Sequence, residues 1–126
     1  MSIASYTEAQ GETSYHAGMA AEEAVARAYC DRGFHVISRR WRGAGGEIDL
    51  IVGAGSARIF VEVKKSRTFG QAATRVSPRQ ARRLFAAAEE FLGAEPSGLL
   101  TEARFDVALV DQYGGIEIME NALVTG

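Results

Sequence analysis

Only one cysteine, Cys30, occurs among the 126 residues, so an internal disulfide is excluded. It stands among Ala and Tyr on a helix-like segment, where a small core filler is the expected role. No apolar run approaches the roughly 20 residues of a membrane span. Met1 to Glu12 lack a basic stretch followed by an apolar one, so no secretory signal is read there, and a cytoplasmic protein is expected. Histidine is nearly absent too. His16 and His35 lie in unrelated segments without metal-ligand spacing and receive no role. Gly45 and Gly46 serve the turn into a strand rather than a dinucleotide fingerprint, because no helix follows, and no motif suggests an organic cofactor. The length suits one domain and is too short for two.

Net charge is only −2, but its distribution is uneven. From Lys64 to Arg83 the chain carries Lys64, Lys65, Arg67, Arg75, Arg79, Arg82 and Arg83 without a single acid. Arg39, Arg40 and Arg42 form a second basic cluster around Trp41. From Leu84 onward eight acids face Arg104 alone. Such a chain can present a phosphate-tracking face while remaining acidic in total. The competing explanation is a solvated helix face and a solvated loop.

Periodicity divides the chain into a flexible tail over 1–13 and a single domain over 14–126. A helix is predicted from Ser14 to Arg32, with Ala21, Val25, Ala28 and Tyr29 as its apolar stripe and Gly33 as its stop. Phe34 to Trp41 reads as a strand. Two further strands, around G-E-I-D-L-I and I-F-V-E-V-K, pair as a hairpin across the turn Gly53–Ala57. A segment over Ser66 to Thr74 then crosses to a second helix. Ser77 is its N-cap, Pro78 its first residue and Gln80 the partner in a capping box. Ala81, Leu84, Phe85, Ala88 and Leu92 form its buried face, and Gly93 ends it. Two last strands, Arg104–Val110 and Gly115–Met119, close the order helix, three strands, helix, two strands. The predicted class is α/β around one mixed central sheet.

The hairpin carries the chemistry. Strand side chains alternate faces, so Ile59, Val61 and Val63 point one way and Phe60, Glu62 and Lys64 the other. On the preceding strand Ile48, Leu50 and Val52 oppose Glu47, Asp49 and Ile51. Acids and an amine inside β-branched strands are expensive unless they are paired, hold a metal or line a cleft. Asp49 and Glu62, on adjacent strands, can converge on a hard cation such as Mg²⁺ or Mn²⁺. That ion polarises a phosphodiester and acidifies an attacking water. Lys64 shares the face of Glu62 and can orient the nucleophile or stabilise developing charge. Glu22, at the edge of the first helix's apolar stripe, is a candidate for direct or outer contact with the metal, the alternative being a solvated helix-edge glutamate. Glu23 is expected to pair with Arg27, four residues on.

The stretches Gly18 to Phe34, R-R-W-R-G-A-G-G-E-I-D-L-I (Arg39 to Ile51), I-F-V-E-V-K (Ile59 to Lys64) and V-S-P-R-Q-A-R-R-L (Val76 to Leu84) resemble the YraN family. Those small bacterial proteins are related to the PD-(D/E)xK nucleases, which include archaeal Holliday-junction resolvases. The resemblance covers about Gly18 to Val110. It implies a restriction-endonuclease-like core, with Glu22, Asp49, Glu62 and Lys64 at the family's site positions and Gln80 at its helix-2 glutamine. A capping box explains Gln80 equally well, and Glu47 is either a helper acid or a partner for an arginine. The chain departs from the family's usual Asn, Lys and Thr at Arg40, Arg79 and Lys65.

The resulting expectation is a metal-dependent nuclease acting on DNA, with branched or structured DNA suggested by the superfamily. Glu22, Asp49 and Glu62 would hold the metal. Arg40, Arg42, Lys65, Arg67, Arg75, Arg79, Arg82 and Arg83 would meet the backbone, and a homodimer would cut two strands. The alternatives are a non-cleaving nucleic-acid-binding subunit, or a protein-binding module with Glu62 and Lys64 in structural ion pairs with Arg58 or Glu47. Trp41 is either a base-stacking platform or, slightly favoured, a core aromatic.

Overall fold

The computed structural model describes residues 19–65 and 76–123. The tail over 1–13, the crossing segment, Arg67 and Arg75 lie outside the described residues. Helix α1 covers residues 19–31. Strands β1 (His35–Arg42), β2 (Glu47–Ala54) and β3 (Ala57–Lys65) follow. Helix α2 (Pro78–Gly93), a 3₁₀ turn (Gly98–Leu100), β4 (Ala103–Val110) and β5 (Ile116–Met119) complete the order. The strands form one sheet in the order β1-β2-β3-β4-β5. All neighbours are antiparallel except β3 and β4, which are parallel. A parallel pair needs a long crossover, and α2 lies within it. This is the mixed α/β sheet, flanked by two helices, of a restriction-endonuclease-like core.

The two helices cover opposite faces. Ala21, Val25, Ala26 and Tyr29 of α1 bury against Leu50, Val52, Ile59, Val61, Ala108 and Val110. Leu84, Ala87, Ala88 and Leu92 of α2 bury against Ile48, Ile51 and Phe60. The stripe of α1 therefore includes Ala26 where the periodicity favoured Ala28. On α2, Ala87 is buried, while Ala81 and Phe85 are only half-buried. The capping box is present: Gln80 N–H donates to Ser77 Oγ at 3.1 Å, and Ser77 N–H donates to Gln80 Oε1 at 2.9 Å. Trp41 meets Phe91 edge-on at 5.7 Å and packs with the α2 cluster, as a core aromatic does. Among the described residues no helix is long and apolar enough to cross a membrane.

Strict alternation fails at one place. Ile48 joins Ile51 on the α2 side instead of Leu50 and Val52 on the α1 side. The change falls between the Arg39↔Leu50 and Trp41↔Ile48 pairs, and there too β2 leaves β3, pairing with it only from Leu50↔Val61 to Ala54↔Ala57. Before Leu50, β2 continues with β1, while β3 beyond Val61 continues with β4. The sheet forks there.

Candidate active site

Asp49 and Glu62 are the first residues past the last β2–β3 pair, one on each prong of the fork. In place of a further backbone rung, Asp49 Oδ2 accepts the Val63 N–H at 2.8 Å. The side chain thus satisfies a donor that the separating strands would otherwise orphan. Both carboxylates line a cleft of about 570 Å³ that opens on the α2 side and also takes in Glu47, Gln80 and Arg83. Lys64 is not among the cleft-lining residues; its Nζ stands 3.4 Å from Glu62 Oε1, largely sheltered from solvent.

The far wall is the loop Gly43–Gly46, closed by Gly43 N–H donating to the Gly46 carbonyl at 2.9 Å. It rests directly on α2. A Cβ on Gly43 would run into the Glu90 carboxylate and the Trp41 ring, and one on Gly45 would meet Ala86 Cβ at 3.2 Å. Glu90 accepts the Ala44 N–H at 2.9 Å and anchors the loop to the helix. Glycine at Gly43 is thus a matter of close approach, as well as of the turn.

The electrostatics are those of crowded acids. Asp49 is pushed up to about 7, first by burial and then by the neighbouring charge of Glu62, with Glu22 and Glu47 adding to it. The Val63 N–H opposes the shift. A carboxyl raised by burial and then by neighbouring carboxylates is where a divalent cation would relieve repulsion. Among the described residues no group of three or more His, Cys, Asp and Glu side chains converges as a metal cage. Mg²⁺ commonly takes only one or two protein carboxylates, with water and phosphate oxygens completing its octahedron. Asp49 and Glu62 fit that donor set.

The remaining expected residues divide. Glu22 does not face the cleft with its carboxylate free: Arg40 Nε donates to Oε2 at 2.8 Å and Nη2 to Oε1 at 3.2 Å. Arg40 is therefore an internal partner, and not simply a phosphate-facing surface cation. Glu23 pairs with Arg39 and not with Arg27, because β1 brings a closer guanidinium than the helix does. Glu47 pairs with Arg42 at 3.2 Å, so Glu47 takes its arginine-partner role while lining the cleft. Arg58 pairs with Glu95 rather than with Glu62. Lys65, Arg79, Arg82 and Arg83 are exposed, and Arg83 reaches the cleft. Gln80 lines the cleft while serving the capping box, so its two roles coexist.

Sequence reasoning missed Glu90 and Asp106. Asp106 is completely buried on β4. It accepts from Tyr29 Oη at 2.8 Å, from Arg104 Nε at 2.8 Å and Nη2 at 2.9 Å, and from the Asn121 N–H at 2.8 Å. Burial, and then the bond to Asp106, push the Tyr29 hydroxyl far up; the same carboxylate raises Arg104. The cluster ties α1 to β4, where Asp106 pairs with Val61 in the sheet. Its signal was legible: an acid inside R-F-D-V-A-L-V, with an arginine two residues earlier on the same face.

Residues 21–110 match the family described as "Uncharacterised protein family UPF0102". A UPF0102 protein of Cereibacter sphaeroides (strain KD131) is 60% identical over 112 residues, covering 89% of this chain and 96% of its own length. One from Ruegeria pomeroyi is 55% identical over 117 residues, covering 93% and 95%. One from Roseobacter denitrificans is 53% identical over 116 residues, covering 92% and 90%. With its family-wide match and relatives aligned over nearly their full length, the chain belongs to UPF0102, the family of the YraN-like motifs.

Proposed function

We propose that the protein is a divalent-metal-dependent nuclease that hydrolyses phosphodiester bonds of DNA at the fork between β2 and β3. The observation that carries this reading is the meeting of Asp49 and Glu62 in one open cleft, with Lys64 on Glu62 and Arg83 on the helical wall. Mg²⁺ or Mn²⁺ on Asp49 and Glu62 would polarise a phosphoryl oxygen and acidify an attacking water. Lys64, outside the cleft lining but 3.4 Å from Glu62, would place positive charge near the phosphoryl oxygens on which charge develops. Arg83 gives the cleft a cation for a phosphate backbone, and the exposed Arg79, Arg82 and Lys65 would extend that charge. The capping box engages the Gln80 side chain at the rim of the cleft. Cutting both strands of a duplex or junction would take two such clefts and hence a dimer.

One observation favours a second reading, a non-cleaving nucleic-acid-binding subunit: Glu22 is bound to Arg40 and withheld from the acids at the fork. A cleavage assay separates the two. Wild type and Glu62→Gln are incubated with single-stranded, duplex, flap and four-way DNA in Mg²⁺ or Mn²⁺. The nuclease reading expects cutting by wild type, none by the variant, and equal DNA binding by both. DNA binding without cutting on every substrate supports the second reading, and equal cutting by both proteins refutes the assignment of Glu62.

A further inference from the structure

The bond between Glu22 and Arg40 joins α1 to β1 beside the fork. Arg40 lies between the Arg39↔Leu50 and Trp41↔Ile48 pairs, so it stands across from Asp49 on the neighbouring strand. Its backbone is left-handed, with φ 51°, a conformation rare for a long side chain in a strand. That kink accompanies a guanidinium turned to α1, where Nε and Nη2 grip both oxygens of Glu22 at 2.8 and 3.2 Å. Glu22 is largely sheltered, with its side chain 19% exposed. A two-point Arg–carboxylate bond in such a place is geometrically specific and stronger than a surface pair. Glu22 is nevertheless close enough to Asp49 for its charge to be felt there.

We infer that Arg40 acts as a built-in counter-ion that keeps Glu22 out of the cation site, so that the fork takes a single divalent ion on Asp49 and Glu62. The inference rests on the proposed metal-dependent reading and specifies it. With Glu22 held by Arg40 and Glu47 by Arg42, Asp49 and Glu62 are the carboxylates at the fork not held by an arginine, enough for one Mg²⁺ or Mn²⁺ and short of the shared ligands that a two-metal site requires. Arg40 is a positioning residue in this account, acting on the cation through Glu22.

Asparagine is the natural probe, because it accepts the left-handed backbone more readily than other side chains while removing the cation. Mn²⁺ binding is measured by calorimetry on wild type, Arg40→Asn, Arg40→Asn/Glu22→Gln and Asp49→Asn, with thermal melts establishing that each is folded. Wild type should bind one ion, and Asp49→Asn should lose it. Arg40→Asn should bind Mn²⁺ about tenfold tighter or take a second ion, because a third carboxylate becomes available. Adding Glu22→Gln should remove that gain. An unchanged affinity in Arg40→Asn, or a gain that survives the loss of Glu22, overturns the inference while leaving the metal site intact. Absence of Mn²⁺ binding in both wild type and Arg40→Asn overturns the metal-dependent reading and the inference together. If Arg40→Asn does not fold, Arg40→Gly, which also tolerates positive φ, takes its place in the same cycle.

Discussion

Replacing Asp49 with asparagine should stabilise the metal-free protein, and increasingly so as pH rises. The folded carboxyl is pushed up to about 7, against 3.8 for the same group without the fold's surroundings. Between those values the folded state retains a proton that the unfolded chain has released. Stability therefore falls as pH rises through this window, and the loss is complete above about pH 7. A shift of this size corresponds to a ceiling of about 4 kcal/mol, of which about 3 kcal/mol develops between pH 5 and pH 8. Asp49→Asn carries no such loss, and its amide oxygen can still accept the Val63 N–H. Urea denaturation of both proteins in EDTA at pH 5, 6, 7 and 8 reads the gap directly. It should widen in favour of the variant by up to about 3 kcal/mol, or roughly 10 °C in melting temperature. Saturating Mn²⁺ should narrow it, because only wild type gains from the bound ion. A gap that stays constant with pH would refute the idea that crowded acids strain the fork.

Other outcomes follow from the surrounding structure. Asp106→Ala leaves Arg104 and Tyr29 without their buried acceptor and should cost about 3–5 kcal/mol in urea unfolding. Tyr29→Phe, which removes one donor and keeps the ring, should cost about 1–2 kcal/mol. Glu90→Ala should speed hydrogen exchange at the Ala44 amide by loosening the glycine loop, with Glu90→Gln restoring part of the protection. Arg83→Ala should weaken DNA binding similarly across sequences and reduce the salt slope by about 1. Its stability should stay within about 0.5 kcal/mol, since Arg83 is exposed.

Much of the molecule is written locally. Ser77, Pro78 and Gln80 announce α2 through contacts three residues apart, and the observed helix begins at Pro78. The paired strands around Asp49 and Glu62 are legible because charged residues interrupt β-branched runs and a short turn fixes their register. What was not legible depends on elements distant in sequence. Glu23 chooses Arg39, and Glu22 is taken by Arg40, only because β1 folds back along α1. No helical spacing reveals such partners. Ile48 leaves its expected face at the point where the sheet forks, which the alternation of a single strand does not disclose. Glu90 lies 46 residues from the loop it anchors. Asp106 differs, since the reasoning that singled out Asp49 applies to it equally.

Asp49 and Glu62 are proposed to form a divalent-cation site. Anomalous diffraction from crystals soaked in Mn²⁺ tests it without reference to substrate or turnover. One peak is expected in the fork, bound by both carboxylates, with Glu22 still on Arg40. A well-ordered fork with no peak at saturating Mn²⁺, or a peak held by other residues, would contradict it.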